Sequence, residues 1–133
     1  MNMKLLAIAG AFVLAASAHA TDEKFFKAIH FVEASGRTGK VIGDSGKALG
    51  PLQIHRAYFR DAAEFDPSLG KDYTKVQDLA FAKRVVKAYM KRYAPAAVKR
   101  NDYQTLARVH NGGPMGHKNP DTVKYWVKVK SRI

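Results

Sequence analysis

Residues 33–54, EASGRTGKVIGDSGKALGPLQI, decide how the rest of the chain is read. A carboxylate, Glu33, closes an apolar helical pattern. A loop with five glycines follows (Gly36, Gly39, Gly43, Gly46 and Gly50), with a second carboxylate, Asp44, near its middle. Pro51 can open a new helix, and the polar Gln53 stands among apolar neighbours. A loop this rich in glycine can fold back on itself and bring the two acids onto one side of the chain.

Upstream, residues 22–34 predict a helix. Thr21 or Asp22 can cap it, Asp22 and Glu23 suit its first turn, and Phe25, Phe26, Ile29 and Val32 form an apolar arc. At about 100° per residue, Glu33 falls within about 40° of Phe26 and Ile29. A carboxylate on the edge of a buried face is unusual, because the same helix has free positions facing outward. Residues 1–20 read as a cleavable export signal: Lys4 supplies the positive start, Leu5 to Ala16 the apolar run, and Ala18-His19-Ala20 the cut site after Ala20. The run is shorter than the roughly 20 residues a membrane span needs, so no stable membrane insertion is expected. Residues 21–133 then form one domain.

Without Lys4, 22 basic side chains face 11 acidic ones, a net charge of about +11. An exported protein seldom meets nucleic acid, so no nucleic-acid partner is expected. An anionic cell-wall surface fits better, and the charge alone does not choose among its anionic polymers, peptide carboxylates and lipid headgroups. The chain has no cysteine, which removes disulfides, thiol catalysis and cysteine zinc sites.

Downstream, Lys40-Val41-Ile42 is a strand-like piece between glycines and predicts a small hairpin wing. Pro51 to about Phe65 predicts a helix, 66–73 a loop, and Thr74 with Gln77 a capping box for a long helix that ends before Pro95. A further helix starts at Asn101 or Asp102 and stops at Asn111-Gly112-Gly113-Pro114. A last helix follows Pro120, with Val123, Trp126 and Val127 inward. The sum is an α+β, mostly helical domain of about five helices and a small β-hairpin wing.

Glu33 partly buried beside Phe26 and Ile29 would hold its proton toward neutral pH, as a general acid must. The plainer reading is a helix-end charge paired with a lysine. Asp44, in a polar turn, would stay ionised; its plainer reading is an Asx turn. One protonated and one ionised carboxyl across a cleft suit cleavage of a glycosidic bond. That division of roles is the established one in lysozyme and is taken over from it. GDSG at 43–46 matches the nucleophile segment of trypsin-like proteases, but that fold needs a much longer all-β chain. No phosphate-binding GxxxxGK loop exists, and the histidines show no compact metal spacing, so neither a metal nor a cofactor is expected.

The runs Glu33-Ala34-Ser35-Gly36, Ile42-Gly43-Asp44-Ser45-Gly46 and Gly50-Pro51-Leu52-Gln53-Ile54 with Tyr58 resemble the invertebrate-type (i-type) lysozymes. So does Ala107-Arg108-Val109-His110-Asn111-Gly112-Gly113-Pro114-Met115-Gly116, followed by Tyr125-Trp126; its HNGGPMG part is the most specific piece. The resemblance covers most of the chain beyond residue 20, in order. It implies a lysozyme-like fold and hydrolysis of the β-1,4 bond between N-acetylmuramic acid and N-acetylglucosamine in peptidoglycan glycan strands. By motif position Glu33 takes the acid role and Asp44 that of nucleophile or electrostatic stabiliser. Gln53, Tyr58, His110 and Asn111 would line the sugar cleft, and Gly112 and Gly113 would let backbone approach it. Animal members are rich in disulfides and this chain has none, which, with the short leader, suggests a bacterial relative acting as a monomer. A lytic transglycosylase using Glu33 alone, and a non-catalytic cationic wall-binding protein, stay open as alternatives.

Overall fold

The computed structural model describes residues 22–133. The export leader expected over residues 1–20, with its cut site, lies outside the described residues. Helix α1 covers 22–34 and buries Phe25, Phe26, Ala28 and Ile29, the arc that its 3.6-residue period places on one side. It ends as the glycine pattern requires: Ser35 (φ 53°) and Gly36 (φ 77°) turn left-handed, and the Ser35 amide donates back to the Phe31 carbonyl at 2.8 Å.

Three short antiparallel strands follow: β1 (Ile42–Gly43), β2 (Ala48–Leu49) and β3 (Ile54–His55). Ile42 pairs with Leu49 and Gly43 with Ala48; Ala48 pairs with His55 and Leu49 with Ile54. This register puts Gly43, Ala48 and His55 on one face and Ile42, Leu49 and Ile54 on the other. Ile54 is wholly buried and anchors the second face to the core.

The expected hairpin is therefore a three-stranded sheet, and the helix expected from Pro51 begins only at Arg56. The reason lies in Gln53, which takes φ 52°, a conformation no α-helix contains. The chain turns there, so Leu52 and Ile54 enter the core from a turn and a strand. At Gly50 (φ 83°) any Cβ would strike the Val76 carbonyl, so the turn packs tightly on the next segment.

Helix α2 (Arg56–Phe65) buries Phe59 and Ala62 against α3 (Leu79–Tyr93), which contributes Ala82, Val85, Val86, Tyr89 and Met90. Arg92 ties the two helices together, donating to the Asp61 carbonyl at 2.6 Å and to Glu64 at 3.0 Å. The long helix does not start from a Thr74–Gln77 capping box. Asp72 captures the Thr74 amide (3.0 Å) and hydroxyl (2.6 Å), which winds Tyr73–Gln77 into a 3₁₀ turn. Asp78 then caps α3 through the Phe81 amide at 2.9 Å.

Pro95–Arg100 forms a short helix, α4, that the apolar pattern does not announce; Pro95 opens it and Asn101 (φ 52°) closes it. Asp102 caps α5 (Tyr103–Gly112) through the Thr105 amide. Helix α6 (Val123–Lys130) buries Tyr125 and Val129, whereas Val123 and Val127 are exposed and Trp126 is half-buried. The inward face of α6 is thus two positions away from the one expected. Thr122, buried at its start, sets the rotation by donating to the Gly116 carbonyl (2.7 Å) while accepting from Arg108 (2.8 Å).

Candidate active site

Glu33 reaches the floor of a cleft of about 580 Å³ that separates the sheet from the helices. Its position on the last turn of α1 matters twice. The turn puts the side chain against the core, where it is 17% exposed, and it sits at the negative end of the helix dipole. Burial lifts its pKa to about 7; the nearby Tyr125 hydroxyl and the Lys128 ammonium lower it, but by less than burial raises it. The Tyr125 hydroxyl is itself buried without closing a hydrogen bond of full geometry, so its hold on the carboxyl is weak.

His110, near the end of α5, is the second buried group. Its Nε2 lies 3.2 Å from the Leu52 carbonyl and its Nδ1 lies 3.0 Å from the Tyr58 hydroxyl. A carbonyl can only accept, so Nε2 carries the hydrogen and Nδ1 accepts from Tyr58. Burial pulls the His110 pKa down to about 4 and pushes that of Tyr58 well above the usual phenol range, so both are neutral near pH 7. Nε2 is also 4.0 Å from Glu33 Oε1, but a neutral imidazole beside a protonated carboxyl is a dipolar contact and no ion pair. Tyr58 in turn stacks on Tyr89 with ring centroids 3.7 Å apart. The result is a rigid, neutral wall behind Glu33, built from α2, α3 and α5.

Asp44 stands across the cleft in different surroundings. It opens the 3₁₀ turn Asp44–Gly46 between β1 and β2, and both it (φ 50°) and Ser45 (φ 56°) are left-handed. Two consecutive non-glycine residues in that region are strained and persist only where their surroundings hold them. Two contacts do so. Gln53 donates from Nε2 to the Val41 carbonyl (3.0 Å) and to the Gly50 carbonyl (2.9 Å), and its Oε1 lies where a Cβ on Gly43 would stand. His55, on β3, reaches past β2 to place Nε2 3.1 Å from Asp44 Oδ2. These contacts grip the wing in a chain that has no disulfide to do so.

The cleft is lined by Glu33, Asp44, Gln53, Tyr58, His110, Asn111 and Gly113, residues far apart in sequence, together with Ala48 and His55. Gly112 is not among them; it packs on the Thr122 methyl, while Gly113 (φ 87°) provides the open backbone edge. Gln53, Tyr58 and His110 have their polar atoms largely committed to the protein, so they shape the cleft. The Asn111 side chain is exposed and has no hydrogen bond among the described residues, which leaves it free to meet a ligand. His55 is the residue that sequence reasoning passes over. Its signal lay in its neighbour Ile54, whose burial turns His55 to the opposite face, legible only once Ile54–His55 is known to be a strand. One carboxyl that keeps its proton near neutral pH, opposite an exposed carboxyl on a strained turn, can act on an acetal linkage.

The sequence profile of the Destabilase family matches residues 23–132. Lysozyme 1 of Crassostrea virginica is 40% identical over 86 residues, which cover 64% of this chain and 45% of that protein. The crystal structure of Tapes japonica lysozyme superposes with a TM-score of 0.66 at 30% identity, covering 80% of this chain and 86% of that one. A chain of the complex between Aeromonas hydrophila PliI and Meretrix lusoria lysozyme superposes with a TM-score of 0.67 at 29% identity, covering 81% and 87%. The chain spans 45% to 63% of the length of the first curated relatives it matches.

Proposed function

Because the chain belongs to the Destabilase family, that of the invertebrate-type lysozymes, we propose that it hydrolyses the β-1,4 bond between N-acetylmuramic acid and N-acetylglucosamine in peptidoglycan. The observation that carries this reading is the contrast between its two cleft carboxyls. Glu33 is buried against a neutral wall with its pKa raised to about 7, and Asp44 is 63% exposed on the opposite rim. At working pH Glu33 keeps a proton to deliver to the leaving oxygen, and Asp44 faces the positive charge that grows on the sugar ring as the bond breaks. His55 is a positioning residue: it acts through Asp44, whose carboxyl it holds on the strained turn at 3.1 Å. Asn111 and the Gly113 backbone edge are the groups best placed to bind the sugar chain.

The net charge of the exported chain, about +11, would gather it on the anionic cell wall, an attraction that weakens as salt rises. The chain works as a monomer, outside the cell or in the periplasm, after removal of residues 1–20. A named structural relative is bound by PliI, which makes an inhibitor of that kind a candidate partner here.

The test is to digest purified peptidoglycan and weigh the products. Hydrolysis yields reducing ends one water heavier than the 1,6-anhydro ends of a transglycosylase, and anhydro ends throughout would refute the hydrolase reading. Glu33→Gln should abolish digestion. Wall lysis at full strength by that variant would assign the activity to the cationic surface instead.

A further inference from the structure

A second cavity, of about 480 Å³, lies between α2 and the loop that follows it, and the proposed chemistry does not use it. Its floor is aromatic and apolar, with Phe59, Ala63 and Tyr73; its rim is cationic, with Arg56, Arg60 and Lys71. The Arg56 guanidinium lies over the Tyr73 ring, 4.6 Å from its centroid, and none of the three cations has a carboxylate partner among the described residues. Glu64, the acid in the lining, is held by Arg92 at 3.0 Å and does not neutralise the rim. Three cations left unpaired around an apolar floor form a receptor for an anion that carries an apolar body.

This cavity is joined to the cleft. A shallow groove between them shares Arg56 and Tyr73 with the cavity, and shares Ala48 and His55 with the cleft. Lys47 adds a further cation to its wall, and Ile42, 58% exposed, gives it an apolar side chain with no packing role in the core. An occupant of the cavity can therefore be part of the molecule that occupies the cleft. In peptidoglycan the glycan strand carries, on every other sugar, a short peptide of small apolar and carboxylate-bearing residues. That peptide has the chemistry the groove displays: methyl groups for Ile42, Phe59 and Tyr73, carboxylates for Arg56, Arg60 and Lys71. A phosphodiester polymer would supply the charge without the apolar body.

We infer that this groove is a subsite for the acidic peptide stem of the glycan strand, continuous with the cleft across His55. The inference rests on the proposed action on peptidoglycan and specifies which form of that substrate is preferred.

Two soluble substrates separate the two claims: glycan strands bearing stem peptides, and the same strands stripped of peptide by an amidase. The wild-type protein should turn over both, with the lower KM on the peptide-bearing strands. The double variant Arg60→Gln/Lys71→Gln should raise KM on peptide-bearing strands by about tenfold relative to stripped strands, the scale of a few charge-assisted surface contacts. An unchanged ratio between the two substrates would overturn the subsite while leaving the glycan reaction standing. Absence of turnover on either substrate would overturn the function, and a titration with free stem peptide then tests the groove alone. Amide shifts at Lys47, Arg56 and Lys71 that saturate with the peptide, and weaken in the double variant, support it. Shifts produced by a teichoic-acid phosphodiester polymer and not by the peptide overturn it.

Discussion

Glu33→Gln tests the central argument through stability as well as activity. The folded pKa of Glu33 is about 7 against an ordinary value of 4.5. The folded chain therefore holds a proton between these two values that the unfolded chain has released, and stability from this group falls as pH rises through that window. At about 1.36 kcal/mol for each unit, the cost above pH 7 is about 3 kcal/mol, and below pH 4.5 it vanishes. Glutamine imitates the protonated acid at every pH. The variant should match the wild type near pH 4 and exceed it by about 3 kcal/mol at pH 8, on the order of 10 °C in Tm for a domain of this size.

His110 supplies the opposite slope. Its folded pKa of about 4 lies below the ordinary 6.5, so between these values the unfolded chain takes up a proton that the folded chain refuses. The group costs nothing above 6.5, and stability is lost as pH falls toward 4. In the wild type the two slopes offset each other between about pH 4.5 and 6.5. In Glu33→Gln the His110 slope stands alone, and stability should climb with pH across that interval. Denaturant unfolding of both proteins from acid to mildly alkaline pH, with wall digestion measured alongside, provides the comparison. A Glu33→Gln stability difference that is the same at both ends of that range would refute the claim that the carboxyl is buried and protonated.

Wild-type digestion should decline as pH rises through about 7, when Glu33 loses the proton it must donate, and a pH profile of kcat shows where that limb lies. His55→Ala should lower kcat by about tenfold while changing stability by less than about 1 kcal/mol, because both ends of the His55–Asp44 contact are exposed; KM rising with kcat unchanged would argue against a positioning role. Gln53→Ala removes two hydrogen bonds that cross the wing and should cost about 1–3 kcal/mol, read by thermal unfolding, with activity falling further than stability explains. Gly50→Ala forces a Cβ onto the Val76 carbonyl at a left-handed position and should unfold the wing or prevent folding, whereas Gly36→Ala, with open space around it, should cost far less.

Much of this protein is written in local pattern. The helical period of Phe25, Phe26 and Ile29 places α1 and puts Glu33 on the edge of its buried face. The stop at Gly113 follows from glycine and proline chemistry, and the α5 start from the Asp102 cap. The two carboxyls and the HNGGPMG run are therefore visible as candidates before any fold is known. Other features depend on contacts between distant segments. Gln53 turns left-handed because its side chain is needed to clamp Val41 and Gly50, which converts an expected helix start into a third strand. Thr122 rotates α6 by binding Gly116 and Arg108, which swaps the expected inward Val123 and Val127 for Tyr125 and Val129.

The chain by itself determined which acids could act, because residue type and helical period are local properties. Only the tertiary structure decided how each acid behaves, because a pKa depends on what surrounds the group in space. Glu33 holds its proton because Tyr58, His110 and Tyr125 exclude water around it, and Asp44 keeps its place because His55 reaches it from β3 while Gln53 clamps Val41 and Gly50 within the same wing.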